Sequence, residues 1–250
     1  MNFKGIIFDK DGTLFDYFSV WGPVITEFTE KALLDLDRDN KEELRTKFLK
    51  MLGVGSDCMD ANGLVFMSNK FFMLSRIFIF CLRHKLNFKK MVSGIKTGYF
   101  DSHHIIKDAL LQINPGDSIH KLFEKFKNSG YKIGVVTSDN RQSTNVCLEH
   151  LKIVEYVDFL STFDDDLAKK PNPEALNAFC LKYSLNPEEV VVVGDAPVDM
   201  KFAKKGKAGY SIAVKTGSND VKRLSRSADI LYQNLECLNT DSRLFPKNLN

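Results

Sequence analysis

Short apolar runs closed by acids or turn residues recur along the chain and mark out its strands. Gly5-Ile6-Ile7-Phe8, Lys132–Val136, Tyr156–Leu160, Glu189–Val193 and Tyr210–Val214 all read as strands. The valine run that ends at Val193 shows no polar alternation, as expected of a strand covered on both faces. Between these runs the period changes. Ile119, Leu122, Phe123 and Phe126 keep the spacing of a helix with one buried stripe, capped by Asp117 or Ser118 and ended by Gly130. Leu176, Phe179, Cys180 and Tyr183 form a second stripe, opened by Pro173. Strands alternating with helices predict an α/β fold, a Rossmann-like parallel sheet with helices on both faces.

From about Asp16 to about Asp108 the pattern lacks strands and is rich in Phe, Leu, Met and Lys at helical spacing, as in Trp21, Val24, Ile25, Phe28 and Ala32. This predicts a helical insertion (16–111) within an α/β domain made of 1–15 and 112–250. Most of its aromatics read as filling a small core of its own, and Gly53-Val54-Gly55-Ser56 breaks it as a loop or hinge. No repeat is visible, and the polar tail after Asn234 is expected to be peripheral.

Composition narrows the function. Lys and Arg number 35 against 32 Asp and Glu, a formal charge of +3, too small and too mixed to predict nucleic-acid binding. Five cysteines without a C-x-x-C pair argue against a disulfide framework or a zinc site and fit a reducing cytosol. The N-terminus does not read as a signal peptide. The most apolar stretch, Phe71 to Leu82, is too short to span a bilayer and is interrupted by Arg76. A cytoplasmic protein with no nucleic-acid or membrane partner is expected; oligomeric state is not legible.

Ligands of open α/β sheets bind beyond the carboxyl ends of the strands, and polar clusters follow three of the runs. They are Asp9-Lys10-Asp11-Gly12-Thr13-Leu14, Thr137-Ser138-Asp139-Asn140, and Gly194-Asp195-Ala196-Pro197-Val198-Asp199, with Lys169-Lys170-Pro171 between the last two. Singly, each reads equally well as a cap, a turn or a solvated loop. Together they would converge on one place. Carboxylates gathered there need a hard divalent cation, and Mg²⁺ prefers oxygen ligands. A lysine and backbone N–H groups beside them suit a phosphate. Metal, phosphate and a carboxylate together describe phosphoryl transfer.

Asp9-Lys10-Asp11-Gly12-Thr13-Leu14 resembles the D-x-D-G-T-L motif of the haloacid dehalogenase-like hydrolase superfamily. Thr137, Lys170 and Gly194-Asp195…Asp199 resemble its second, third and fourth motifs in order, so the resemblance covers about 1–15 and 112–250. It implies that the insertion is a helical cap closing over the core, and that Asp9 is a nucleophile forming an aspartyl-phosphate. It implies that Asp11 protonates the leaving oxygen and then activates water. Mg²⁺ would be held by the Asp9 carboxylate, the Asp11 backbone carbonyl and Asp195. Thr137 and the Ser138 N–H would bind phosphate oxygens, Lys170 would neutralise charge, and Asp199 would orient Lys170 or the metal waters.

The resemblance also implies that an aspartate at position 11, two after the nucleophile, marks a phosphate ester as substrate rather than a haloacid or phosphonate. The expected activity is that of a Mg²⁺-dependent phosphatase for a small phosphorylated metabolite, phosphoglycolate- or sugar-phosphate-like. A sugar-phosphate mutase and a non-catalytic binding protein of the same fold are the alternatives. Lys10 stands where relatives often carry an apolar residue, and a side chain turned away from the site is open. Lys169 competes with Lys170; the resemblance favours Lys170, because the family's lysine typically sits directly before proline. Asp164-Asp165-Asp166 reads as a solvated loop before a metal ligand. Candidates for substrate choice are Phe15, Asp16, Tyr17, Trp21, the Gly53–Asp57 segment, Arg45 and Arg76, each also readable as packing or as a solvated face.

Overall fold

A computed structural model describes residues 2–34, 40–55, 59–60, 63–66, 70–100, 103–112, 118–217 and 221–246. Six strands, β1 (Gly5–Phe8), β2 (Lys132–Val136), β3 (Phe159–Ser161), β4 (Val190–Gly194), β5 (Tyr210–Val214) and β6 (Ile230–Tyr232), form one sheet. Its order is β3-β2-β1-β4-β5-β6 and every pairing is parallel. The chain is therefore the α/β, Rossmann-like fold that the alternating pattern predicts. β1 lies between β2 and β4, with Phe8 level with Val135 on one side and Val193 on the other. That register brings the ends of three strands, and the loops after them, side by side.

Among the described residues there are ten α-helices, five of them in the segment between β1 and β2: α1 (Tyr17–Ala32), α2 (Lys41–Leu52), α3 (Lys70–His84), α4 (Phe88–Phe100) and α5 (His103–Gln112). The other five are α6 (Ser118–Asn128), α7 (Arg141–His150), α8 (Glu174–Tyr183), α9 (Pro197–Lys205) and α10 (Val221–Ser227). The chain divides into two compact units, Met1–Tyr17 with Ile113–Asn250, and Phe18–Gln112.

In the α/β unit successive residues of β1 serve opposite faces, as the pleat requires. Ile7 joins Val192, Phe179, Leu176 and Phe202 in one buried cluster, whereas Phe8 stacks on Phe123 and edges Phe126 of α6. Phe179 meets Phe159 and Tyr183 edge-on. The α6 and α8 stripes thus lie against opposite faces of the sheet. Gly130 follows α6 with φ +83°, the left-handed turn its position predicts.

The helical unit has its own core, where Trp21, Val24, Ile25 and Phe28 of α1 are buried. Gly94 and Gly98 let α4 lie against α1, because a Cβ on Gly98 would come within 2.2 Å of the Phe28 Cβ. Gly53 ends α2 with φ 103°, the break its position implies; Ser56 and Asp57 lie outside the described residues. α3 contains the Phe71–Leu82 stretch. Among the described residues no helix is long and apolar enough to cross a membrane.

Two expectations are corrected and one strand is added. The run at Tyr156 starts as a 3₁₀ turn, Val154–Tyr156, and extended pairing begins only at Phe159. Asp158 explains this, because its carboxylate accepts the Ile133 N–H at 2.8 Å and binds Lys127, anchoring the chain just before the strand. β6 is an additional strand, too short to register as a periodic run. The tail is not peripheral. Leu235, Leu238 and Leu244 are buried, Phe245 packs on Phe126, and the Tyr131 hydroxyl donates to the Leu244 carbonyl at 2.8 Å. Its polar residues misled the reading, since Asp241 is itself buried and accepts from Tyr232 at 3.1 Å. Leu244→Ala should therefore cost about 2–5 kcal/mol, the usual range for a buried leucine, read from urea unfolding. A loss near zero would return the tail to the periphery.

Candidate active site

The loop after β1 carries Asp9, whose N–H donates to the Val193 carbonyl at 2.9 Å and so locks it to the end of β4. At the end of β4, Gly194 leads the chain into the turn before α9. A Cβ on Gly194 would sit 2.4 Å from the Asp199 Cβ, so this turn accepts only glycine. Asp199 lies in the first turn of α9, and its Oδ2 accepts the Ala196 N–H at 3.0 Å. Lys170, in the loop after β3, donates to Asp9 Oδ1 at 2.5 Å and to Asp199 Oδ1 at 2.7 Å. Of the two adjacent lysines, Lys169 is spent on the carbonyls of Phe163 and Asp165.

Asp195 lies beside this pair. Its Oδ1 accepts the Thr13 hydroxyl at 3.1 Å, and its Oδ2 presses on Gly12, whose φ is +79°. A Cβ on Gly12 would meet that oxygen at 2.5 Å, so both the backbone sign and the space require glycine. The Thr216 hydroxyl donates to the Gly12 carbonyl at 2.6 Å, adding the loop after β5. Sequence reading passed over Thr216 and Gly217, although they follow a strand end as the other clusters do.

Carboxylate oxygens of Asp9, Asp195 and Asp199 lie within 4.8 Å of one another, and Asp195 and Asp199 are buried. Burial, offset by Lys170 and reinforced by Asp199 and Asp11, pushes Asp9 up to about 7. Burial, then the charge on Asp9, raises Asp195 well above the usual carboxylate range. Such acids keep protons unless a cation offsets their charge. Asp9 and Asp195 fit a hard divalent cation, with oxygen donors and a shortage of positive charge. Asp199 suits it less well, because Lys170 and the Ala196 N–H already occupy its two oxygens.

Asp11 is placed differently. Its carboxylate meets Lys10 at 2.6 Å, and Lys10 is fully buried. The same ammonium reaches Asp139 Oδ2 at 2.9 Å as an ion pair. Thr137 is buried after β2, its N–H donating to the Ser161 carbonyl and its Oγ1 accepting the Asp139 N–H at 3.1 Å. Ser138 beside it is exposed. Sequence reading missed Asp139 because an acid after a strand resembles a cap.

The remaining candidates separate. Asp164 and Asp165 serve locally, accepting from the Arg141 N–H and side chain. Phe15 is buried, Asp16 is exposed, and burial, then the Asp11 charge, raises the Tyr17 phenol. Trp21 is buried in the helical core. Within the helical unit, Arg45 helps line a groove of about 710 Å³ but pairs with Glu30; Arg76 is exposed.

A parallel sheet in this strand order, with acids and a lysine gathered beyond its carboxyl ends, defines a Rossmann-like hydrolase core. The chain belongs to the haloacid dehalogenase-like hydrolases, whose family model matches residues 3–207. It is 32% identical over 104 residues to the pyrophosphatase PpaX of Bacillus cereus, covering 42% of this chain and 47% of that protein. The chain thus spans about half the length of the curated relatives it matches. It is similar in fold to a predicted phosphoglycolate phosphatase from Haemophilus somnus, with TM-score 0.66, 17% identity and coverage of 95% and 97% of the two chains. It is also similar in fold to a β-phosphoglucomutase from Clostridium difficile, with TM-score 0.58, 19% identity and coverage of 94% and 93%.

A carboxyl whose folded pKa is raised keeps its proton in the folded chain over a window where the unfolded chain has lost it. Stability then falls as pH rises through that window, which for Asp9 runs from the ordinary 3.8 to about 7. Asp195→Asn should accordingly raise the thermal midpoint of the chelator-treated protein at pH 8, and by a clearly smaller margin at pH 5. A lower midpoint at both pH values would overturn this charge accounting.

Proposed function

We propose that the chain is a Mg²⁺-dependent phosphatase that hydrolyses a small phosphorylated metabolite through an aspartyl-phosphate on Asp9. The contact of Lys170 with Asp9, inside a cluster of buried acids, carries this reading. A nucleophilic carboxylate must stay ionised and yet meet an anionic phosphoryl group, and a lysine on its oxygen serves both needs. Asp9, Asp195 and the Asp11 backbone carbonyl would hold Mg²⁺, which when bound screens the nucleophile from the anionic substrate.

Asp9 attacks phosphorus, the bond to the leaving oxygen breaks, and Asp11 gives that oxygen its proton. Water then attacks the phosphorus of the aspartyl-phosphate, Asp11 takes the water's proton, and Asp9 is regenerated with release of phosphate. The Thr137 hydroxyl and the Ser138 N–H bind the phosphate oxygens. Thr137 Oγ1 accepts from the Asp139 amide, so the hydroxyl's own proton is the donor offered to phosphate. Asp199 holds Lys170 in place. The helical unit acts as a cap that excludes water and selects the substrate. Phosphoglycolate-like and sugar-phosphate-like monoesters are the proposed substrates, and the partial match to a pyrophosphatase brings inorganic pyrophosphate into the same screen.

Phosphate release from these compounds is expected only with Mg²⁺, and Asp9→Asn should lower it by at least about a thousandfold with the fold intact. Substantial turnover by Asp9→Asn, or full activity in chelator, would remove the assignment. Return of the phosphoryl group to a sugar without release of phosphate would replace the phosphatase with a mutase.

A further inference from the structure

Lys10 is the feature of the α/β unit that the proposed chemistry does not use. It is fully buried at the carboxyl end of β1 and reaches three groups from separate elements. Its ammonium lies 2.6 Å from Asp11 Oδ1, 2.9 Å from Asp139 Oδ2 and 3.8 Å from Cys147 Sγ on α7. The Phe15 ring closes it in, with its centroid 5.2 Å away. An ammonium sealed in this way cannot touch a substrate, so any influence it has on the reaction passes through its partners.

Those partners are informative. Asp11 is the proposed acid and base. Asp139 belongs to the loop of Thr137 and Ser138, since its N–H donates to Thr137 Oγ1, its Oδ1 accepts the Asn140 N–H at 2.8 Å, and its carbonyl accepts the Phe163 N–H at 2.7 Å. Lys10 therefore ties the loop after β1 to the loop after β2. Stability alone is a weak reason for a cation here, because replacing a buried ion pair by apolar packing is often neutral or stabilising. A fixed geometry is a better reason. Proton transfer requires the carboxyl group within hydrogen-bond reach of the leaving oxygen, and small displacements cost large factors in rate.

We propose that Lys10 is a positioning residue for the reaction, anchoring Asp11 Oδ1 so that this carboxyl meets the leaving oxygen, and holding the phosphate-binding loop beside it through Asp139. This rests on the reading of Asp11 as the leaving-group acid, and the test separates the two. The probes are phenyl phosphate and p-nitrophenyl phosphate, which are similar in shape but differ in how much the departing oxygen needs a proton. The readout is kcat/KM, which reports the step in which that oxygen leaves.

Asp11→Asn is expected to lose far more on phenyl phosphate than on p-nitrophenyl phosphate. Lys10→Met is expected to follow it in kind, falling about tenfold or more on phenyl phosphate and less than about threefold on p-nitrophenyl phosphate. In the Asp11→Asn background, Lys10→Met should add nothing. If Lys10→Met leaves Asp11 and the buried Asp139 uncompensated and does not fold, Lys10→Met with Asp139→Asn removes one charge of each sign and should show the same selectivity. Asp139→Asn alone, which keeps Lys10 on Asp11, should not. Equal losses on both probes, or no loss, in a folded variant lacking Lys10 would overturn the positioning role while the Asp11 reading stands. Loss of selectivity in Asp11→Asn itself would remove both.

Discussion

The ammonium of Lys170, shared between Asp9 and Asp199, is the interaction on which the rest of the α/β unit's chemistry depends. Moving ions out of water costs several kcal/mol each, and leaving one of a buried pair without its partner costs about 3–5 kcal/mol. The loop after β3, the loop after β1 and the first turn of α9 are therefore bound as one object. The Asp9 amide on the Val193 carbonyl extends that object into the backbone of β4. Gly194 belongs to it too, since the turn brings Asp199 into the space a side chain would occupy.

Charge is distributed around this point in a regular way. Among the described residues the site holds five carboxylates, Asp9, Asp11, Asp139, Asp195 and Asp199, against two ammonium groups. Lys170 lies between Asp9 and Asp199, and Lys10 lies between Asp11 and Asp139. Asp195 is held instead by the neutral hydroxyl of Thr13. The shortage of positive charge thus falls beside Asp195, where a divalent cation has most to neutralise. A site left this negative would repel any further anion, which is why the proposed reaction needs the cation before a phosphate ester can bind.

The sheet and the helix stripes against it were legible in the chain because burial on both faces leaves a visible pattern. The valine run, the Phe123 and Phe126 stripe and the Phe179 stripe each report a local period. The tail was not legible. Asp241 and the polar residues around it look solvated until Tyr210 and Tyr232, on the neighbouring strands β5 and β6, are seen to donate to that carboxylate. The strand at Phe159 was read early for a related reason, since Asp158 is fixed by the Ile133 amide rather than by its own neighbours.

The site divides along the same line. Which residue types follow the strands, the lysine before proline and the glycine before Asp195 were all written in the chain, and they sufficed to draw Asp9, Lys170, Asp195 and Asp199 into one hypothesis. Which lysine reaches which acid was decided by the fold. The proline after it sets Lys170 apart from Lys169, but nothing in composition or spacing records what each lysine reaches: Lys10 is sealed beneath Asp11, Lys169 is used up on carbonyls, and Lys170 lies on Asp9. A flexible side chain carries its charge to whatever partner the packing leaves within reach. Sequence determines that the charge is present; only tertiary structure determines the distance, and electrostatic interaction depends on distance.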